Sequence, residues 1–489
     1  MYAAVLLKRL PRTTILMWGC GAFMLGLVAA RRFSEVSGCA ALLLAVVAVA
    51  TYRRRTLVAV GLIVLAGLAL GMWRGTVYLQ ALQPYRGLAL RQVAFTATAD
   101  IDAVYGTNSQ LAFTVRNVHF VSPYHTAVPG KVKVSGFGET MVYRGDRLMV
   151  TGKLYPTRGA NQASVSFAEL HIESRGHSVV DTLRRKFVAG MQSALPEPLA
   201  SFGLGLLVGQ RNTLPADLTQ ALLMVGLTHI IAVSGYNLTI LLEASRRVLG
   251  DRSKVLSTAV AIALIFGFLL VAGTSASIVR AAVISLLGLA AWYYGRSVRP
   301  LLLILLAAAG TAYANPVYLW ADISWYLSFL AFFGILVLGP LITGKLYGTA
   351  KPPLVPQIII ESLCAEIMTI PLVLYIFGQV SFVSLLANML VVALIPLAML
   401  LSLIAGSAGM LAGIVSGWFA WPARLLLSYM LDIVDLLARI PHIFQQNRYL
   451  SAGDMAACYC VVAAVLLVAY WRRRRRQKLG LLWYVTKKL

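Results

Sequence analysis

Long apolar runs separated by short basic or polar loops cover most of the chain, and one stretch of about a hundred residues departs from that pattern. The apolar runs fall at about 13–30, 36–51, 56–73, 199–208, 215–227, 255–272, 301–314 and 456–471. Several approach the ~20 residues a helix needs to cross a bilayer. Between Leu79 and His177 the period changes: FTATADIDAV, QLAFTVRNVHFV, GKVKVSGF, DRLMVTGKL and SVSFAELHI alternate apolar and polar positions between Gly, Asn, Pro and Ser. Period-two alternation reads as strands, and these segments together as a small antiparallel barrel, for which an OB-like fold is the obvious form. The expected fold class is a polytopic α-helical membrane protein with an inserted small extracytoplasmic β-barrel. The predicted organisation has N-terminal transmembrane helices in 1–74, the OB-like β domain in 75–180 and an amphipathic connector in 181–198. A transmembrane domain in 199–471 and a basic cytoplasmic tail in 472–489 complete it.

Composition excludes a single soluble domain, with 59% hydrophobic residues and a mean hydropathy of +0.78. The net charge of +25, from 43 basic and 18 acidic residues, fits cytoplasmic positive loops, a polyanionic substrate, or both. Arg53 to Arg55 and Arg472 to Arg476 sit directly beside apolar runs, which places both termini in the cytoplasm and sends the third span outward. Arg31 and Arg32 then fall on the outer side, against that rule. Residues 75–175 hold ten Lys or Arg against six Asp or Glu, which leaves +4. With stacking aromatics such as Tyr105, Phe113, Phe120, Tyr124 and Tyr143, this domain is either a single-strand binder or a structural cap whose aromatics turn inward. The cysteines, Cys20, Cys39, Cys364, Cys458 and Cys460, all lie in or beside membrane segments, and neither they nor the histidines have metal-ligand spacing. No cofactor is expected.

The stretch from Leu206 to Glu243 carries Gln210, Arg211, Asn212, Thr228, His229, Ser234, Asn237 and Thr239 inside an apolar setting. Polar groups at membrane depth face other protein or a water-filled cavity, so the cluster reads as a pathway or a site. Its helices are short and broken, and helix ends at membrane depth favour ions. Pro215 suits a first helical turn. Ser234 with His229 also permits an intramembrane serine hydrolase, but their spacing shows no base within reach of the nucleophile, and no catalytic residue is assigned. Ser-Gly pairs equally allow close helix packing.

The residues THIIAVSGYN resemble the core signature of the ComEC competence-protein family on Gly226, Thr228, His229, Ser234 and Gly235, with Asn237 where the family usually has a second His. GTSASIVRAA repeats a further family block on Gly273, Ser275, Ser277 and Arg280. LWADISWYLSFL matches another on Asp322, Trp325, Leu327, Ser328 and Phe329, with Tyr326 replacing the frequent Gln. Pro371, Phe377, Gly378, Ser381, Ser384, Asn388 and Pro396 match a third. The resemblance implies an inner-membrane channel that takes up single-stranded DNA in natural transformation, and not an enzyme. The implied path is lined by Gln210, Arg211, His229, Ser234, Gly235, Asn237, Arg280, Asp322 and Asn388. Gly226, Gly273, Ser275, Ser277, Ser328, Pro371, Gly378 and Pro396 would be structural. Asp322 is expected to pair with Arg280, Pro371 to kink its helix, and Asn388 to act as helix glue or pore lining. Glu361 and Glu366, about one turn apart, are buried or interfacial. Implied partners are single-stranded DNA, the lipid bilayer, a DNA receptor, a cytoplasmic translocation ATPase or helicase, and a separate nuclease. The last follows because the His-x-His-x-Asp-His cluster of the family's metallo-β-lactamase-like domain is absent from the sequence. A serine hydrolase and a transporter of another polyanion are the rival readings.

Overall fold

Apolar runs become helices close to where the sequence places them. The computed structural model describes residues 11–33, 36–53, 56–105, 110–123, 125–139, 141–157, 159–176, 178–209, 214–231, 238, 242, 253–272, 276–296, 299–348, 350, 352–412 and 416–486. Six helical spans among these are long and apolar enough to cross a membrane: Arg12–Ala29, Leu57–Ala81, Ile323–Leu346, Val355–Phe377, Ser384–Leu411 and Ala452–Ala469. Shorter apolar helices include Gly38–Tyr52, Leu199–Val208, Ala216–Val225 and Pro300–Ala314. The chain divides into two compact units, one of residues 1–214, 231–326 and 399–424, the other of 215–230, 327–398 and 425–489.

In the first unit, helix Leu57–Ala81 runs past its expected end near 73. The reason is Arg74, which donates to the carbonyls of Tyr313 and Ala314 at 3.0 and 3.3 Å and lies over the rings of Tyr78 and Tyr313. This helix meets Arg12–Ala29 through glycines. A methyl group on Gly71 would overlap the Phe23 carbonyl oxygen, and one on Gly26 would overlap that of Leu68. Small residues let helix backbones touch where lipid offers no hydrophobic drive for association. Gly71→Ala is therefore expected to lower stability by about 1–3 kcal/mol through overpacking. Thermal unfolding of the purified protein in detergent checks this, with Gly61→Ala as the control because its added methyl meets nothing within 4 Å; equal midpoints would refute the close contact.

The period-two region forms β1 (Gln92–Ala99), β2 (Val104–Tyr105), β3 (Leu111–Ser122), β4 (Thr126–Phe137), β5 (Arg147–Pro156) and β6 (Ala163–Ser174). Five of these close a barrel in the order β1-β5-β6-β4-β3, with β3 returning to β1 and the short β2 added to β3. All pairings are antiparallel except β4 with β6. Strand β4 begins before the expected Gly130, because a register shift between Arg116 and Val118 of β3 lets the Pro129-Gly130 pair lie within the ladder instead of in a turn. Alternate side chains fill the interior with Phe95, Phe113, Val115, Phe120, Val132, Val134 and Val150. Tyr85, from the short helix Gln83–Gly87, closes against this core with its ring edge-on to Phe120 at 5.7 Å. Burial there pushes its phenol well above the usual tyrosine range.

The connector forms helix Val179–Ala194, begun by Ser178, whose hydroxyl accepts from Asp181 N. Its polar residues are tied to the barrel: Arg184 to Asp102 at 3.1 Å, Asp181 to Arg144 at 3.6 Å, and Arg185 over the Tyr143 ring at 5.4 Å. Its other side packs at Gly190 against helix Ile395–Ala412, where a methyl on Gly409 would overlap the Gly190 carbonyl oxygen. The connector helix is thus fixed to both.

In the second unit, helix Ala216–Val225 ends at Gly226, and helix Leu354–Phe377 ends at Gly378, both in the left-handed region with φ of +81° and +62°. Glycine takes that conformation without a side-chain clash. Gly378 is doubly required, since a methyl there would meet the Tyr449 ring at 2.8 Å. Pro371 lies inside an uninterrupted helix. After Gly378, the two-residue strands Val380–Ser381 and Phe444–Gln445 pair, and the chain re-enters helix at Ser384–Val391. Helix Ser416–Ala438 runs through Pro422. The carbonyl that proline leaves without its N–H is that of Trp418, in a residue 83% exposed. The C-terminal helix continues from Ala452 to Thr486, because its arginine run is a good helix former and does not stop it at 471.

Candidate functional site

Arg280 is the fifth residue of helix Ala276–Tyr293 and is 1% exposed, among the largest fully buried side chains of the protein. Its Nη2 donates to the Ser324 carbonyl at 2.9 Å. That carbonyl belongs to the first turn of the helix starting at Ile323, and Asp322 caps this turn, its Oδ1 accepting from Trp325 N at 3.1 Å. Trp325 Nε1 in turn donates to Thr311 Oγ1 at 3.1 Å. Asp322, itself 6% exposed, attracts the Arg280 guanidinium electrostatically. The expected Arg280–Asp322 relation is therefore shared with a backbone carbonyl, and the carboxylate has a second task as a helix cap. Ser277 lies in the first turn of the Arg280 helix and is half-buried. Gly273 and Ser275 are outside the described residues.

A second polar cluster occupies the other unit. Gly226 packs on Ser384 and Ser381, whose Cβ atoms lie 2.7 and 3.3 Å from where its own would stand. Its carbonyl lies 3.2 Å from His229 Nδ1. Ser384 Oγ lies 3.2 Å from the Ser381 carbonyl and also within hydrogen-bond reach of the Glu366 carboxyl, so its one hydrogen serves either acceptor. Asn388 Nδ2 donates to Glu366 Oε1 at 3.3 Å. The structure thus joins Gly226, His229, Ser384 and Asn388, which the sequence singled out, through a residue it had left undecided. Glu366 carried one signal, a carboxylate in the middle of an apolar span. Glu361, its neighbour one turn away, instead accepts from Gln357 Nε2 at 2.8 Å. Ser328 is half-buried on helix Ile323–Phe333, and Pro396 opens helix Ile395–Ala412. Gln210, Arg211, Ser234, Gly235 and Asn237 lie outside the described residues.

On the barrel, two of the expected stacking aromatics are core residues. Phe113 and Phe120 are 2% and 1% exposed, because strand register turns them inward. Tyr143 is covered by Arg175 and Arg185, and Tyr124 is outside the described residues. Tyr105 does face outward, and so do three the sequence reading missed: Phe137, Tyr155 and Phe167. Phe137 and Phe167 stand beside each other at 6.5 Å, and Lys153 Nζ lies 5.9 Å over the Tyr155 ring. Alternation along β6 fails to predict Phe167 because a left-handed backbone there, φ +56°, breaks the period. Several basic residues have acidic partners: Arg116 and Lys131 with Asp100, Arg147 with Glu173, Arg175 with Asp146. Among the described residues no three of His, Cys, Asp or Glu converge in a metal-ligating group.

Comparison with known proteins gives two matches. A family described as "Competence protein" matches residues 206–474. ComE operon protein 3 of Bacillus subtilis (strain 168) is 26% identical over 227 residues, covering 46% of this chain and 28% of that protein. The matched region thus spans under a third of that relative's length. No solved structure matches the chain.

Proposed function

The chain belongs to the competence protein family, and from that premise we propose that it is the inner-membrane channel through which single-stranded DNA enters the bacterial cytoplasm during natural transformation. The carrying observation is Arg280. A guanidinium 1% exposed within apolar helices is costly, and such intramembrane charges mark substrate or ion pathways. Arginine suits phosphate because its planar fork offers two parallel donors to one anion. The net charge of +25 adds a long-range attraction for a polyanion.

The barrel in this reading is an OB-type module on the extracytoplasmic side, and both termini are cytoplasmic. Its strand order supports that form: a five-stranded closed barrel in which only the third and fifth barrel strands, β4 and β6, run parallel. The outward Phe137, Phe167 and Tyr155 with Lys153 supply the aromatic and basic groups that single-strand binding uses. A DNA receptor and a cytoplasmic ATPase or helicase would complete the pathway.

Fluorescent DNA uptake tests the reading in cells deleted for the gene and complemented with the wild type. The expected result is DNA stalled outside the inner membrane in the deletion and restored entry with the wild type. Unchanged entry in the deletion would refute the channel.

A further inference from the structure

The carboxyl of Glu366 and the amide of Asn388 meet from two helices, Leu354–Phe377 and Ser384–Val391, that a break at Gly378 separates. Asn388 is 6% exposed, and while its Nδ2 donates to Glu366 Oε1, its Oδ1 is buried with no hydrogen-bond partner. A buried acceptor left unsatisfied costs about 1–3 kcal/mol. The group beside it cannot remedy this as a carboxylate, which only accepts, but can as a carboxylic acid, which also donates. Reversing the amide does not remove the demand, since Oδ1 would then face a carboxylate oxygen, again two acceptors together.

We propose that Glu366 is a proton-binding site. One proton taken from water adds to the carboxylate oxygen other than Oε1, the charge falls from −1 to zero, and the new O–H donates to Asn388 Oδ1. The acid and amide are then joined by two hydrogen bonds, and release of the proton breaks one of them. Around this pair the structure places the features of a coupling-ion site: discontinuous helices, two left-handed glycine ends and the Ser384 hydroxyl. Ser384 links Glu366 to Ser381 and to Gly226, whose carbonyl holds His229 Nδ1. The titratable and charged groups on the elements packed around Glu366 include Asp217, His229, Lys345, Glu361, Cys364, Tyr375, Asp454, Cys458, Tyr459 and Cys460. Among the described residues none of them forms an ion pair or hydrogen bond with it, and Tyr459 donates instead to the Met368 carbonyl at 3.0 Å. Proton binding at Glu366 stands on this geometry alone; its use, coupling proton movement to strand entry, rests on the channel reading.

The test is infrared difference spectroscopy of the purified full chain in liposomes, titrated between about pH 5 and pH 8, with transformation frequency measured in parallel. A protonated-carboxyl carbonyl band is expected in the wild type, lost in Glu366→Gln and shifted in Asn388→Leu. Glu366→Gln keeps an N–H donor for Asn388 Oδ1, so it folds as the protonated form does. The same variant is expected to lower transformation at least tenfold at unchanged protein level. A band absent from the wild type, or present unchanged in Glu366→Gln, overturns the site. The band lost with transformation unaffected overturns the coupling. If deleting the gene leaves DNA entry intact, the channel reading fails while the infrared result still decides whether Glu366 binds a proton.

Discussion

Arg280→Glu is expected to reduce transformation by about two to four decades. Removing one partner of a buried ionic contact costs about 3–5 kcal/mol, and each 1.4 kcal/mol is a factor of ten. Glutamate here would also turn a carboxylate toward the Ser324 carbonyl and toward Asp322, three acceptors with no donor among them. Arg280→Lys keeps the charge and one hydrogen bond to Ser324 but lacks the fork, and an intermediate loss of about tenfold is expected. Combining Arg280→Glu with Asp322→Arg separates two explanations. If Arg280 acts only as the partner of Asp322, double reversal restores transformation. If its sign is needed by a passing phosphate, the double variant stays inactive at a normal membrane level, because the loss of the Asp322 cap of the Ile323 helix costs only about 1 kcal/mol. Membrane protein level by immunoblot accompanies each frequency. Normal transformation by Arg280→Glu at normal level would sink Arg280 as a phosphate contact.

The helices and the barrel were legible because their signals are local. Leu199–Val208 is a ten-residue apolar run stopped by Gly209 in the left-handed region, and the sequence marks both features. Strand β5 alternates cleanly, with Leu148, Val150 and Leu154 inside. What escaped depends on contacts between distant residues. The inward turn of Phe113 and Phe120 follows from a register that bulges in β1 and β3 reset. Phe167 escapes through a single left-handed residue. Asp322 was visible as a charge, but its role as a cap needed the start of a helix at Ile323 to be known. Glu366 stood out as a charge too, yet its partner is 22 positions away across a break, a distance no periodicity carries. Resemblance to a family supplied Asn388 and Ser384, and only the fold placed Glu366 between them.

Asp146→Ala is expected to loosen the barrel and, through it, the connector. Asp146 is 1% exposed and holds three donors at once: Tyr143 N at 3.0 Å, Gly176 N at 2.9 Å and Arg175 Nη1 at 2.8 Å. Alanine leaves all three without their acceptor, at about 1–3 kcal/mol for each one that stays buried. A barrel of this size has total stability of about 5–15 kcal/mol, so the loss is a large fraction of it. Asp100 offers the contrast, since its partners Arg116 and Lys131 are 43% and 34% exposed and such pairs contribute about 0–1 kcal/mol. The effect should spread because Asp102, Arg144 and Asp181 tie the same end of the barrel to helix Val179–Ala194. That helix is in turn seated on Gly406 and Gly409 of helix Ile395–Ala412. Limited proteolysis of the full chain in liposomes is the measurement. Cleavage within 92–194 should accelerate at least tenfold for Asp146→Ala and less than about twofold for Asp100→Ala, while Asp146→Asn, which keeps one acceptor, falls between. Equal rates for Asp146→Ala and Asp100→Ala would mean that the three-donor site does not hold the barrel together, and that its link to the membrane helices runs through the ion pairs alone.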